Sequence, residues 1–148
     1  MTSALLFQKE GGKAGFMRDA LCLYSLDHLV LTVKDLERSL HFYSDILGCP
    51  VSRFGKDRFA VLIGQSKINF HQSASPIKPH AANPTCGSAD FCLLSHLPMA
   101  EIRQFLTARF IPIELGPVVR TGANGTILSV YIRDPDSNLV EIATPNVD

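Results

Sequence analysis

The chain repeats itself once, and that repetition constrains its fold more than any other feature. One copy runs from Leu26-Asp27-His28-Leu29-Val30 to Ile68-Asn69-Phe70-His71, and the other from Ser88-Ala89-Asp90-Phe91-Cys92 to Leu139-Val140-Glu141-Ile142. Sliding the chain by 62 positions places His28 on Asp90, Leu40 on Ile102 and Tyr43 on Phe105. The closing residues His71 and Glu141 lie 70 apart, and the excess of 8 is assigned to a longer hairpin from Gly116 to Gly125. Two copies imply duplicated modules sharing one core, because a solenoid needs three or more.

Within the first copy, Leu26 to Val33 is apolar and rich in Leu and Val, which predicts a buried strand. Asp35 is placed to cap a helix running to about Leu47, with Leu36, Leu40, Tyr43 and Leu47 at three- and four-residue steps. Gly48 and Pro50 stop it. Three short strands follow, Val51 to Phe54, Phe59 to Ile63 and Ile68 to His71, separated by Gly-containing hairpin signals. The Pro- and Ser-rich stretch from Ser73 to Gly87 is a connector. The second copy repeats the order: a strand from Ser88 to Leu94, a helix from about Pro98 to Arg109, and strands near 113–118, 127–133 and 139–143. The expected fold is therefore α+β, with two βαβββ modules at about 26–72 and 88–143 inside one domain spanning 25–146. Residues 1–24 carry no sustained period and are expected to form a flexible extension.

With 148 residues the chain is long enough for one domain and too short for two ordinary ones. Its 14 basic and 14 acidic side chains cancel, and no basic patch lies on any element, so nucleic acid and anionic membrane are poor partners and a small molecule is the expected ligand. No apolar run approaches the roughly 20 residues of a membrane span. Cys22, Cys49, Cys86 and Cys92 show no CxxC spacing, and no secretory leader is legible, which points to a cytoplasmic protein with reduced thiols. Cys92 and Cys49 read as small buried hydrophobes. A mitochondrial presequence is the alternative, opposed by Glu10 and Asp19.

The segments Leu26-Asp27-His28-Leu29-Val30-Leu31-Thr32-Val33, Phe42-Tyr43, Leu47-Gly48 and Arg133-Asp134-Pro135-Asp136-Ser137-Asn138-Leu139-Val140-Glu141 resemble those of the vicinal oxygen chelate superfamily. That superfamily holds glyoxalase I, methylmalonyl-CoA epimerase, extradiol dioxygenases and bleomycin-resistance proteins. Within it, the glyoxalase domain-containing proteins look nearest, through Lys67-Ile68-Asn69-Phe70-His71 and Gly116-Pro117-Val118-Val119-Arg120-Thr121-Gly122-Ala123. The resemblance implies paired modules whose curved mixed sheet forms a cleft with a metal at its base, and a homodimer. It carries the metal positions onto His28, His71, Asp90 and Glu141, although Asp90 stands where such enzymes usually have His.

Two imidazoles and two carboxylates suit one divalent ion: zinc, nickel, manganese, cobalt or iron. In folds of this kind the metal chelates neighbouring substrate oxygens and stabilises an enolate, and Glu141 would be the base that moves the proton. The expected function is a glyoxalase-like lyase or isomerase acting on a small carbonyl or thioester. The alternatives are a noncatalytic ligand-binding module and an iron-dependent dioxygenase, since one scaffold hosts all three. Arg58 and Arg120 are candidates to hold substrate oxygens bidentately, against a plain role in surface solvation. His28 and His71 could each be ordinary strand histidines, and Asp90 could cap a turn. Arg133 is expected to pair with Asp134 or Asp136, within a tight turn whose acids are structural.

Overall fold

The computed structural model describes residues 19–145, so most of the expected extension lies outside the described residues. Residues 19–27 run into the domain without regular structure. The first module then consists of β1 (His28–Val33), α1 (Leu36–Leu40), β2 (Val51–Phe54), β3 (Arg58–Ile63) and β4 (Ser66–Gln72). The second consists of β5 (Asp90–Leu94), α2 (Met99–Ala108), β6 (Leu115–Gly122), β7 (Gly125–Arg133) and β8 (Leu139–Thr144).

Each module forms its own four-stranded sheet, ordered β1-β4-β3-β2 in one and β5-β8-β7-β6 in the other. In both, the opening strand pairs in parallel with the closing strand and the remaining pairs are antiparallel. The α+β duplication is as the sequence predicts, with two open mixed sheets and, among the described residues, no closed barrel. The second module's extra length is not in a long loop. It extends β6 to 8 residues and β7 to 9, joined at Ala123-Asn124 between the paired Gly122 and Gly125.

The helices and one face of each sheet make a single core. Tyr43, Leu106, Ile132, Val33, Val61, Val130 and Val140 are fully buried within it, each apolar side chain gaining roughly 1.5–3 kcal/mol by leaving water. Asp35 caps α1 as expected, its Oδ1 accepting from the Arg38 N–H at 3.0 Å. The helix is not a uniform α-helix to Leu47. After Leu40 it widens into a π-helical turn, His41–Ile46, with the Leu47 N–H bonded to the Phe42 carbonyl. That turn buries the neighbours Phe42 and Tyr43 together, edge to face at 5.0 Å.

A buried polar knot ties the modules to each other. Asp134, at the end of β7, accepts from the Tyr43 hydroxyl at 2.8 Å, from Asn138 Nδ2 at 2.8 Å, and from the backbone N–H groups of Asp136 and Asn138 at 2.9 Å each. Asp136 accepts from the Lys34 N–H, and Asn138 Oδ1 accepts from the Ala89 N–H just before β5. The acids of Asp134-Pro135-Asp136-Ser137-Asn138 are thus structural. Arg133 pairs with neither of them; it makes a two-pronged contact with Glu114 at 2.7 and 2.8 Å.

Candidate functional site

Side chains alternate across a strand, so the face of each sheet turned away from the helices carries the polar set. In the first module it presents His28, Val30 and Thr32 from β1, Lys67, Asn69 and His71 from β4, and Arg58 and Ala60 from β3. In the second it presents Asp90 and Cys92 from β5, Glu141 from β8, Tyr131 from β7 and Arg120 from β6. All six expected site residues therefore fall on these two faces, three on each.

The faces do not bring the four expected metal ligands together within one chain. His28 is in register with Lys67 and His71 with Thr32, four residues apart along the strand, or about 13 Å, too far for two imidazoles to reach one ion at about 2.1 Å. Among the described residues no three of His, Cys, Asp and Glu form a group able to hold a metal. The donors of one chain thus do not fit the divalent ion that members of such a superfamily commonly bind.

The register also changes which residues are equivalent. Val30 pairs with Asn69, and Cys92 pairs with Glu141. The residue matching Glu141 in the first module is Asn69, not His71, and the two lie 72 positions apart rather than 70. The signal was in the sequence: Ile68-Asn69-Phe70 and Val140-Glu141-Ile142 share one apolar, polar, apolar pattern. Choosing the residue by its ligand chemistry instead of by its flanks shifted the repeat by two.

Four polar atoms on these faces are buried without a hydrogen-bond partner: Asn69 Oδ1 and His71 Nε2 in the first module, and Ser129 Oγ and Glu141 Oε1 in the second. Such orphans are costly in an interior and mark places where a ligand or another molecule completes the bonding. Burial, then the Arg58 guanidinium, then His80 hold the His71 imidazole below its ordinary pKa. His28 and Asp90 are exposed, and Asp27 Oδ2 lies 2.7 Å from His28 Nδ1.

Glu141 opens onto a pocket of about 460 Å³ lined by second-module residues that include Cys92, Arg120, Thr121, Asn124 and Ile127. Arg120 is exposed, but its Nε donates to the Tyr131 hydroxyl at 3.0 Å and its guanidinium lies 5.6 Å from the Tyr131 ring, which fixes its direction. Tyr131 pairs directly across from Glu141. Cys92 is exposed on this face instead of buried as its strand pattern suggests. Partial desolvation and the Glu141 carboxylate push its thiol up to about 11, so it is protonated at neutral pH. Tyr131 was not legible from sequence, since nothing but register places it beside Glu141.

No helix among the described residues is long and apolar enough to cross a membrane. The virulence protein STM3117 of Salmonella typhimurium is 45% identical over 118 residues, covering 80% of this chain and 82% of that protein. Its crystal structure superimposes with a TM-score of 0.81 at 43% identity over 82% of this chain and 97% of the other. A glyoxalase domain-containing protein of Mycosarcoma maydis, RDO1, is 44% identical over 124 residues, 84% of this chain and 70% of that protein. An integron cassette protein from the mobile metagenome of V. cholerae matches with a TM-score of 0.83 at 40% identity, covering 86% of this chain and 99% of that one. The family model for glyoxalases, bleomycin-resistance proteins and dioxygenases matches residues 25–142. Together with the paired βαβββ sheets, these matches show that the chain belongs to the glyoxalase/bleomycin resistance protein/dioxygenase superfamily.

Proposed function

We propose that the chain is a glyoxalase-type lyase or isomerase that takes a small carbonyl or thioester substrate, with Glu141 as the base that moves a proton on carbon. The observation that carries this reading is Glu141 Oε1, buried without a partner in a carboxylate that lines a 460 Å³ pocket. A carboxylate oxygen held in that state has no competing hydrogen bond to break before it accepts a proton. Arg120, braced on Tyr131, lies on the same pocket and would hold the substrate oxygen that gains charge as the proton leaves. A divalent ion would supply Lewis-acid stabilisation of that oxygen, but one chain does not assemble its donors, so an ion would have to be shared between two copies. His28, Asp90 and His71 enter the reading only in that assembly.

The test is exchange of solvent deuterium into the acidic carbon of 2-oxoaldehyde hemithioacetals and acyl thioesters, followed by NMR for the wild type and Glu141→Gln. Metal content and oligomeric state are measured on the same samples and on His28→Ala. Glu141→Gln should lower exchange by about 10²–10⁴-fold, the usual contribution of a positioned base, with the fold intact. An unchanged rate removes Glu141 as the base. A noncatalytic binding module is the second reading, favoured by the scattered donors; it is supported if no substrate exchanges and no metal is retained while ligands still bind.

A further inference from the structure

The first module's open face carries two cations, Arg58 and Lys67, that no acid among the described residues pairs with. Lys67 Nζ lies 3.7 Å from the centre of the Phe54 ring, and the Arg58 guanidinium lies 4.7 Å from it. Phe54 pairs with Arg58 on the neighbouring strand, whereas Lys67 is two strands away on β4. Phe54 and Lys67 therefore meet across β3, whose Ala60 on the same face is 0% exposed and too small to hold them apart. Among the described residues neither cation has an ion pair or a side-chain hydrogen bond. Two acids close by are already engaged: Asp57, beside Arg58 in the chain, by Arg53, and Asp27, whose carbonyl accepts from the Lys67 N–H, by His28.

Two like charges held on one ring repel, and the arrangement is stable only because each stacks on the aromatic face. The stacking also fixes two long side chains that would otherwise lose rotamer freedom on binding a ligand. Beside them, on the same face, lie the buried unpartnered atoms Asn69 Oδ1 and His71 Nε2. A carboxylate or phosphate placed here would neutralise both cations, and an N–H or O–H of the same ligand would satisfy an orphan. We infer that Lys67, Arg58 and Phe54, next to Asn69 and His71, form a binding site for a small anion bearing a carboxylate or phosphate group. Within one chain the site is separate from the Glu141 pocket, which has no lining residue from the first module, and anion binding here does not require Glu141 to act as a base.

The full chain is titrated with benzoate, phenyl phosphate and the uncharged benzamide, followed by amide and arginine side-chain NMR shifts. Both anions should bind at least tenfold more tightly than benzamide, should move the Arg58 Nε–H signal and the amides of residues 28–33 and 58–71, and should weaken with added salt. Arg58→Gln and Lys67→Met should each weaken binding at least fivefold, and Arg120→Gln should not. The order of benzoate and phenyl phosphate decides between carboxylate and phosphate. Equal binding of benzamide overturns the site, as does anion binding that maps to Arg120 and survives both first-module variants. The Arg58 side-chain signal of the wild type gives the answer even where a variant fails to fold.

Discussion

Tyr43 shows how one side chain can hold two halves of a molecule together. It is 0% exposed, and its hydroxyl donates to Asp134, whose burial is itself tolerable only because four donors surround its carboxylate. Tyr43→Phe should cost about 1–2 kcal/mol in urea unfolding, and Asp134→Ala about 3 kcal/mol or more, since it strands the Tyr43 and Asn138 donors together. His71 sets a second expectation. Its pKa is held below the ordinary 6.5 by burial, Arg58 and His80, so the unfolded chain takes up the proton first. The stability that neutral His71 contributes is fully present above about pH 6.5 and is lost as pH falls from there through the folded value. Urea midpoints should therefore drop more between about pH 7.5 and 5.5 in the wild type than in His71→Gln. The chemistry of these residues was legible in the sequence, but their partners were not. Tyr43 and Asp134 lie 91 positions apart, and only packing makes them neighbours.

At the level of elements, the connector from Ser73 to Gly87 must deliver the chain to β5 beside the Asp134 turn. Gly87 makes this close approach with φ +76°, and a Cβ built there would lie 2.5 Å from the Asp136 carbonyl oxygen. Gly87→Ala meets both backbone strain and a backbone clash; it should destabilise by about 1–3 kcal/mol and should perturb the amides of residues 134–138 in NMR spectra. Apolar periodicity located strands and helices to within a few residues, because burial on one face dictates it. It did not reveal the π-helical turn after Leu40. That turn depends on burying Phe42 and Tyr43 together, and adjacent aromatic residues in a sequence do not announce the wider backbone that accommodates them.

For the whole molecule, duplication was legible because each half repeats its own pattern of strand and helix faces. What the sequence left open was how the halves relate. Their sheets share a core and the Asp134 knot but exchange no ladder of backbone hydrogen bonds. The ligand-type residues at module ends lie on the outward faces, as their polarity dictates, but do not gather within one chain: the His pair belongs to one sheet and the carboxylate pair to the other.

The parallel pairing of β1 with β4 and of β5 with β8 has a further consequence, in the order of assembly. An opening strand cannot find its place until the closing strand of the same module has been made, so the central hairpins are free to form early while β1 and β5 wait as unpaired edges. Non-local closures of this kind slow folding. Because the chain makes two moderate closures instead of one long one, neither sheet needs a strand from the other half, and what joins the halves is the core they share.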